Sequence, residues 1–315
     1  MKKGIMFGVI LGMMTVFIAC GTETQDVSNE NDKSAKSAVV SETVADEQIE
    51  DEEIDEEIDE ETAYRRFLHL EEGDIVANVD PGLTLGYFAD DVSKTGDTLT
   101  FAELKELMSK DDVGDAIDSE VYYTFVKGGS RKILVVKFES EDVPVSENVF
   151  LFCYYEKQLH LSYSYASWDR STSQLHKSGY YYSQGSSGAG ESMEKYGYID
   201  AAGKIRDVYS VSTLYEEWIG LHTDQEIFEK VYKKYKGEKK PLDMYTIGED
   251  VYLSFEVPEG ESLSEEDQKF ILKTSSLGFK WLIQDEVKAL IAERNEELGL
   301  SEEFYSSKDV EWTKL

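Results

Sequence analysis

The residue with the most distinctive chemical setting is Cys20, which follows an apolar run and a small side chain. Lys2 and Lys3 open the chain, and residues 5–19 are apolar apart from two glycines and Thr15. A basic start, a short apolar stretch and a small residue before a cut describe a secretory signal peptide. A membrane-spanning helix needs about 20 apolar residues, so a permanent transmembrane anchor is the weaker alternative. The Cys20 thiol, a nucleophile once deprotonated, is then a point for covalent modification.

The residues before this cysteine resemble the lipobox of bacterial lipoproteins. Phe17, Ile18 and Ala19 directly precede Cys20. The resemblance implies that a diacylglycerol is joined to the Cys20 sulfur and that residues 1–19 are removed. Each buried methylene contributes about 0.8 kcal/mol to membrane binding, and two acyl chains hold far better than one. We therefore expect a lipid-anchored chain on the outer face of the cell membrane.

Residues 20–60 are strongly acidic and contain no aromatic side chain. Lys33 and Lys36 are their only basic residues, and the stretch ends in repeats of Ile-Asp-Glu-Glu. Such a composition cannot bury enough apolar surface to offset the entropy of ordering. We expect a disordered acidic tether here, with a helical end near Ile54 and Ile58 or a cation-binding strip as alternatives.

The composition of the whole chain restricts its partners. The formal net charge is −33, which repels nucleic-acid phosphates and anionic lipid headgroups. Nucleic acid is therefore excluded, and partners are expected to be neutral, cationic or sugar-like. Cys153 is the only cysteine besides Cys20, and its apolar neighbours predict a buried thiol. The four histidines show no metal-ligand spacing, so we expect neither a metal nor a cofactor.

Residues 61–315 are expected to form an extracytoplasmic domain, with a sub-boundary near 215–240 as an alternative. The domain opens with Tyr64, Phe67 and Leu68 on one helical face, which resembles the Tyr-x-x-Phe-Leu opening of uncharacterised lipoproteins from clostridia-like bacteria. Thr100 and Glu103 predict a capping box at the start of a second helix.

The middle of the domain is rich in strand patterns. Val121–Val126 and Ile133–Phe138 flank a glycine pair and predict a hairpin. Leu161, Tyr163 and Tyr165 alternate with polar residues, which predicts a strand with one solvated face. From Ser264 to Leu298 the spacing is helical, with a break at Ser275, Ser276 and Gly278. These patterns predict an α+β fold: an antiparallel β-meander packed with helices, with a long C-terminal helical region.

Three short matches resemble the motifs of penicillin-binding proteins and β-lactamases. They begin at Ser192 (Ser-Met-Glu-Lys), Ser146 (Ser-Glu-Asn) and Lys94 (Lys-Thr-Gly). Their order is the reverse of that family's, and Ser192 follows a glycine-rich loop where the family begins a core helix. An enzyme is therefore the less favoured interpretation.

Aromatic residues are the remaining lead, because the chain holds 20 tyrosines, many of them in strand patterns. Solvent-facing rings beside carboxylates stack on sugars, and tyrosine joins an apolar ring to a polar tip. Tyr163, Tyr165 and Trp168 are the candidate ligand-binding residues. The alternative is that these rings fill the core of the sheet, as strand aromatics commonly do.

Three functional hypotheses follow. The first is a membrane-anchored lipoprotein that binds a ligand or partner, either a carbohydrate or an envelope protein. The second is an anchored hydrolase of cell-wall or dietary glycan, and the third is a structural accessory subunit of an envelope complex. A concave pocket with converging carboxylates would favour the hydrolase. A flat aromatic patch would favour the binding protein, and a large apolar face would favour the structural subunit.

The lipid anchor gives the first testable prediction. We expect the mature protein to begin at Cys20 and to carry the added mass of a diacylglycerol, so that it partitions into the detergent-rich phase of a detergent extract. Cys20→Ser should shift the protein to the aqueous phase, whereas Cys153→Ser should leave its partitioning unchanged. Mass spectrometry of the N-terminal peptide checks the modification, and an unmodified Cys20 at the mature N-terminus would contradict it.

Overall fold

Hydrogen-bonded strands dominate the described part of the chain. A computed structural model describes residues 58–81, 83, 98–109, 117–140, 147–168, 170–188, 191–214, 230–235, 237, 241–255, 257 and 262–315. The five helices for which it gives both ends are α1 (Glu60–Phe67), α2 (Phe101–Leu107), α3 (Glu265–Ser275), α4 (Gln284–Glu297) and α5 (Glu302–Tyr305). The strands are β1 (Ala77–Val79), β2 (Thr98–Leu99), β3 (Glu120–Gly128), β4 (Arg131–Glu139), β5 (Glu147–Tyr155), β6 (Gln158–Ser167), β7 (Ser171–Leu175), β8 (Tyr180–Gly188), β9 (Glu191–Ile199), β10 (Ile205–Leu214), β11 (Leu242–Ile247), β12 (Asp250–Phe255) and β13 (Thr313–Lys314).

Two sheets divide these strands. Sheet 1 has the order β13-β3-β4-β5-β6-β1-β2, and sheet 2 has the order β12-β11-β10-β9-β8-β7. Neighbouring strands are antiparallel except for β1, which pairs in parallel with β6. Tight turns join β3 to β4, β5 to β6, β9 to β10 and β11 to β12. In the β5–β6 turn, Glu156 and Lys157 both adopt positive φ, as a two-residue hairpin turn of type I′ requires.

Sheet 1 is buried on both of its faces. Leu134, Val136 and Phe150 pack on one face against helices α1 and α2. Val135 and Leu151 pack on the opposite face against Leu175, Tyr181 and Ile199 of sheet 2, forming the inter-sheet core. Burial of apolar surface on both sides explains the near-continuous apolar runs of β4 and β5.

Strand β6 changes faces part of the way along its length. A β-bulge at Ser162 places Leu161 on the helix side, whereas Tyr163 and Tyr165 pack against the inter-sheet core. The bulge is held by the Ser162 hydroxyl, which lies 3.0 Å from the carbonyl of Leu151 and 3.1 Å from that of Gly203. The predicted single face for Leu161, Tyr163 and Tyr165 is therefore wrong, since a bulge adds one residue to one strand and breaks the period of two.

Sheet 2 packs against sheet 1 through Leu175, Tyr181 and Ile199 of strands β7, β8 and β9. Its far half packs on the same face against α3, where Phe270 lies 6.0 Å from Phe255 and 4.8 Å from Tyr235 between ring centroids. Trp281 follows α3 and closes this second core, 5.0 Å from the Phe255 ring. Trp281 lies in the segment between α3 and α4 and forms an isolated β-bridge with Leu253.

Residues 306–315, which we call the strap, connect the two sheets. The Val310 amide donates to the Leu175 carbonyl on β7 at 3.1 Å, and the Lys177 amide donates to the Lys308 carbonyl at 2.9 Å. Further along, β13 pairs with β3 at the edge of sheet 1. The strap therefore adds backbone hydrogen bonds to both layers.

The expected α+β architecture is wrong. Strand is the main secondary structure, the strands form two sheets instead of one meander, and there is no long C-terminal helical region. Residues 276–283 separate α3 from α4, because Gly278 takes φ of +99° and the chain then turns extended to bridge β12. The predicted helices are present on either side of this segment, but no helix extends across it.

Several local predictions are confirmed. Thr100 and Glu103 form the capping box of α2, and Ser264 caps α3. The hairpin predicted at the glycine pair is that of β3 and β4, which are in register up to Gly128 opposite Arg131. The signal peptide, the lipid-bearing cysteine and almost all of the tether lie outside the described residues, as does most of the 215–240 boundary region. Within the described ranges no helix meets the length and apolarity needed to cross a bilayer.

Gly179 gives a stability prediction, because it sits where the two sheets approach each other. Its φ is +88°, and a Cβ there would lie 2.0 Å from the carbonyl oxygen of Lys127. Gly248, in the β11–β12 turn, also has positive φ (+63°), but a Cβ there would meet nothing within 4 Å. The left-handed conformation costs a non-glycine residue about 1–2 kcal/mol.

We expect Gly248→Ala to lower the free energy of unfolding by about that amount, and Gly179→Ala to lower it by about 3 kcal/mol or more because a backbone clash is added. Denaturant unfolding of both variants measures the difference. Equal losses would show that the close approach at Gly179 is absent.

Candidate ligand site between the sheets

A cleft of about 200 Å³ opens where the two sheets and the strap meet. Its lining residues are Lys137, Glu147, Val149, Tyr165, Ser173, Gln174, Leu175, Asp309, Val310 and Trp312. Sheet 1 supplies its floor from β4, β5 and β6, strand β7 supplies one wall, and the strap supplies the other. Each part is therefore positioned by backbone hydrogen bonds of a sheet or of the strap.

A buried ion cluster forms the floor of the cleft. The Lys137 side chain is only 11% exposed, and its Nζ lies 2.8 Å from Glu139 Oε2 and 3.2 Å from Glu147 Oε1. The ammonium also lies 5.1 Å from the ring centroid of Tyr122 and 5.0 Å from that of Trp312. A cation over aromatic faces and beside carboxylates is strongly held, which offsets the cost of removing it from water.

The charge of Lys137 is maintained by its neighbours. Burial lowers the pKa of this group, but the hydrogen bond that its ammonium donates to Glu139 and the charges of Glu147 and Glu139 outweigh that effect, so the pKa is raised. Lys137 thus remains a fixed donor at the floor of the cleft at physiological pH. With two carboxylates against one ammonium, the cluster carries a net negative charge.

The strap wall is positioned by contacts at the end of β7. Asp309 forms an isolated bridge with His176, whose Nε2 lies 3.1 Å from Asp309 Oδ1. The pairing of β13 with β3 starts one residue beyond Trp312 and directs this part of the chain across sheet 1. Trp312 is consequently held over Lys137 by the strap contacts on either side of it.

The predicted ligand-binding residues fall in three different settings. Tyr165 lines the cleft, and burial, followed by the effect of Tyr181, raises the pKa of its phenol well above the usual value. Tyr163 is half-buried and packs against the inter-sheet core. Trp168 is 43% exposed at the β6–β7 turn, where its amide donates to Ser171 Oγ at 2.8 Å. The structure thus brings only Tyr165 into the cleft.

Sequence reasoning missed Lys137, Glu147 and Trp312. One signal was available, because Lys137 interrupts the apolar strand between Val136 and Phe138. A charged residue inside such a strand is buried only when it is paired, so its position indicates a polar site. Trp312 gave no comparable signal, since it lies in a short polar terminal segment far from the other cleft residues in sequence.

The acyltransferase motifs do not assemble. Ser192 and Lys195 both lie within strand β9, where side chains three positions apart point to opposite faces. The motif needs the two on one helical face, as a Ser-x-x-Lys turn of helix provides. Lys94 and Ser146 lie outside the described residues. Cys153 is buried, and its thiol lies 3.9 Å from Arg131 Nη1 and 3.4 Å from the Ala201 carbonyl.

Comparison with known proteins adds no family assignment. No family model, no curated protein and no solved structure matches the chain. Over the described ranges, no group of three or more histidine, cysteine, aspartate or glutamate side chains is arranged to hold a metal ion.

The many buried phenols give a prediction about pH. Burial raises the pKa of Tyr180 to about 12, and that of Tyr165 and Tyr181 well above 10. The folded state holds these protons more tightly than the unfolded state does. The stability they contribute is therefore fully present below pH 10 and is lost as the pH rises above that value.

We expect the phenolate absorbance of the native protein to lag behind that of the denatured protein, which should titrate near pH 10. Denaturant unfolding at increasing pH should show a falling free energy over the range from pH 10 to 12. Coincident native and denatured titration curves would mean that these phenols are solvated.

Proposed function

We propose that this chain is a lipid-anchored extracytoplasmic lipoprotein whose domain binds a small, neutral, hydroxylated ligand in the inter-sheet cleft. The observation that carries the ligand site is the buried Lys137 cluster at the base of a cleft with an aromatic wall. The anchor rests on the lipobox resemblance around Cys20.

The polar groups of the cleft favour a hydroxylated ligand. Lys137 donates hydrogen bonds, Glu147 accepts them, and the hydroxyls of Tyr165 and Ser173 do both. A sugar or polyol hydroxyl also donates and accepts, so it suits such a mixed set. The Trp312 ring offers the apolar surface on which the C–H face of a sugar ring packs.

Charge and size restrict the ligand further. Glu139 and Glu147 contact the Lys137 ammonium, and Asp309 adds a third carboxylate to the lining of the cleft, which disfavours an anionic ligand. A cationic ligand would have to compete with Lys137 for the same carboxylates. The volume of about 200 Å³ lies below the roughly 300–1,000 Å³ typical of drug-sized sites, which favours a single sugar ring.

The same arrangement speaks against the hydrolase hypothesis. Glycoside hydrolysis needs one protonated and one ionised carboxyl group on opposite sides of the scissile bond. Glu139 and Glu147 instead both contact the same Lys137 ammonium, and only Glu147 lines the cleft, so the two carboxylates do not flank a ligand there.

Calorimetric titration of the full-length protein in mild detergent, with glucose, galactose and N-acetylglucosamine as probes, tests the proposal. We expect saturable binding of at least one sugar, weakened at least tenfold by Trp312→Phe and by Glu147→Gln. Tyr252→Ala changes a half-exposed aromatic residue outside the lining of the cleft and should leave the affinity unchanged. Trp168→Phe reports whether this predicted residue takes part.

Absence of binding by all three sugars would contradict the ligand class. Sugar binding that survives both cleft substitutions would place the site elsewhere. Thermal unfolding of each variant should accompany the titration, so that lost affinity is separated from lost structure.

A further inference from the structure

The face of sheet 2 that points away from the inter-sheet core carries rows of aromatic and polar side chains. Cross-strand pairing aligns Tyr182 on β8 with Tyr196 on β9 and Tyr209 on β10. A neighbouring row aligns Gln184 with Glu194. Tyr181, which directly precedes Tyr182 in the sequence, points to the opposite face and is buried. The rows follow from the period of two within each strand.

Helices cover other parts of the same face. Helix α4 packs on β10 and β11, and Tyr305 of α5 packs against Tyr180 with centroids 5.1 Å apart. Tyr182 and Tyr196 are half-exposed, and Gln184 is exposed. The part of the face on β8 and β9 is thus accessible, although it holds large rings.

The rings in this region are fixed relative to one another. Tyr196 stacks on Tyr209 with centroids 4.3 Å apart and an interplanar angle of 10°. Tyr182 lies 5.0 Å from Tyr196 at 53°. Among the described residues, Tyr196 is the only ring that contacts Tyr182, and within these ranges no second aromatic side chain lies against it. Ring faces of this kind bind C–H groups.

Hydrogen bonds hold both phenols against the sheet. The Tyr182 hydroxyl donates to Gln184 Oε1 at 2.7 Å, and the Tyr196 hydroxyl donates to Glu194 Oε2 at 2.5 Å. Because these side chains are already ordered, a ligand would lose less entropy in binding them than in binding free rings. The set forms a preorganised surface of ring, amide and carboxylate.

The chemistry of the surface selects among polymers. None of its four side chains, Tyr182, Gln184, Glu194 and Tyr196, is cationic, and the net charge of the chain is −33, so anionic polymers are repelled. None of the four is aliphatic, so the surface lacks the apolar core that protein–protein interfaces have. An uncharged chain of hydroxylated rings matches the combination of ring faces and hydrogen-bonding groups.

We propose that Tyr182, Tyr196, Gln184 and Glu194 form a second site, on the outer face of sheet 2, that binds a neutral polysaccharide chain. This tyrosine surface lies on the face of sheet 2 opposite the inter-sheet core, and its binding does not depend on a ligand in the cleft. With both sites, the domain would bind a polymer on the tyrosine surface and a single sugar in the cleft.

Pull-down of the full-length protein in mild detergent with insoluble cellulose, xylan and starch tests this site. We expect retention on at least one polymer, reduced at least tenfold in affinity by Tyr182→Ala. Gln184→Ala removes an exposed side chain that does not support the core, and it should also weaken retention. Tyr252→Ala, a half-exposed tyrosine on the edge strand β12, is the matched control and should bind as the unchanged protein does.

If Trp312→Phe lost polymer binding while Tyr182→Ala kept it, the polymer would bind in the cleft, and this proposal would be overturned. No retention on any of the three polymers would overturn it as well. Retention on immobilised polylysine that is lost on adding salt, with none on the neutral polymers, would show a merely electrostatic surface. Failure of the monosaccharide titration alone concerns the cleft and leaves the tyrosine surface standing.

Discussion

The fold depends on the burial of β4 and β5 on both faces. Apolar side chains occupy consecutive positions in these strands, so no single layer of helices could cover them. Helices α1 and α2 satisfy one face, and the first strands of sheet 2 satisfy the other. Apolar surface buried in this way contributes roughly 25 cal/mol per Å², so the two-sided burial stabilises the domain strongly. The rest of the architecture follows from bringing the two layers together.

A buried charge is tolerated at one point of this otherwise apolar contact. Lys137 occupies a position equivalent to those of Ile133 and Val135 on the same face of β4, yet it faces two carboxylates and two rings. Replacing such a cluster by apolar residues is often neutral or stabilising, so stability alone does not explain it. The cluster places polar groups at the edge of the inter-sheet core, and the cleft lies at this edge.

Local features of the fold were more predictable than its layers. Capping boxes and hairpin turns depend on neighbouring residues, so Thr100 and the glycine pair near residue 128 predicted their structures correctly. The face of Tyr163 was predicted wrongly, because the bulge at Ser162 is fixed by the Gly203 carbonyl, 41 residues away in sequence. The pairing of Trp312 with Lys137 is likewise non-local. Sequence patterns of one strand cannot show which distant segment completes a site, and only Tyr165 of the cleft was therefore foreseen.

The strap also bears on the order in which the domain forms. Lys314 pairs with Glu120 across 194 positions of sequence, whereas most other strand pairs join neighbours along the chain. Closing so long a loop costs entropy before any contact compensates for it, and contacts of this separation slow folding. The antiparallel hairpins of both sheets can therefore form early, while the strap pairs with the sheets late. An acquisition of ligand affinity would then coincide with the final step of folding, after most of the secondary structure is already in place.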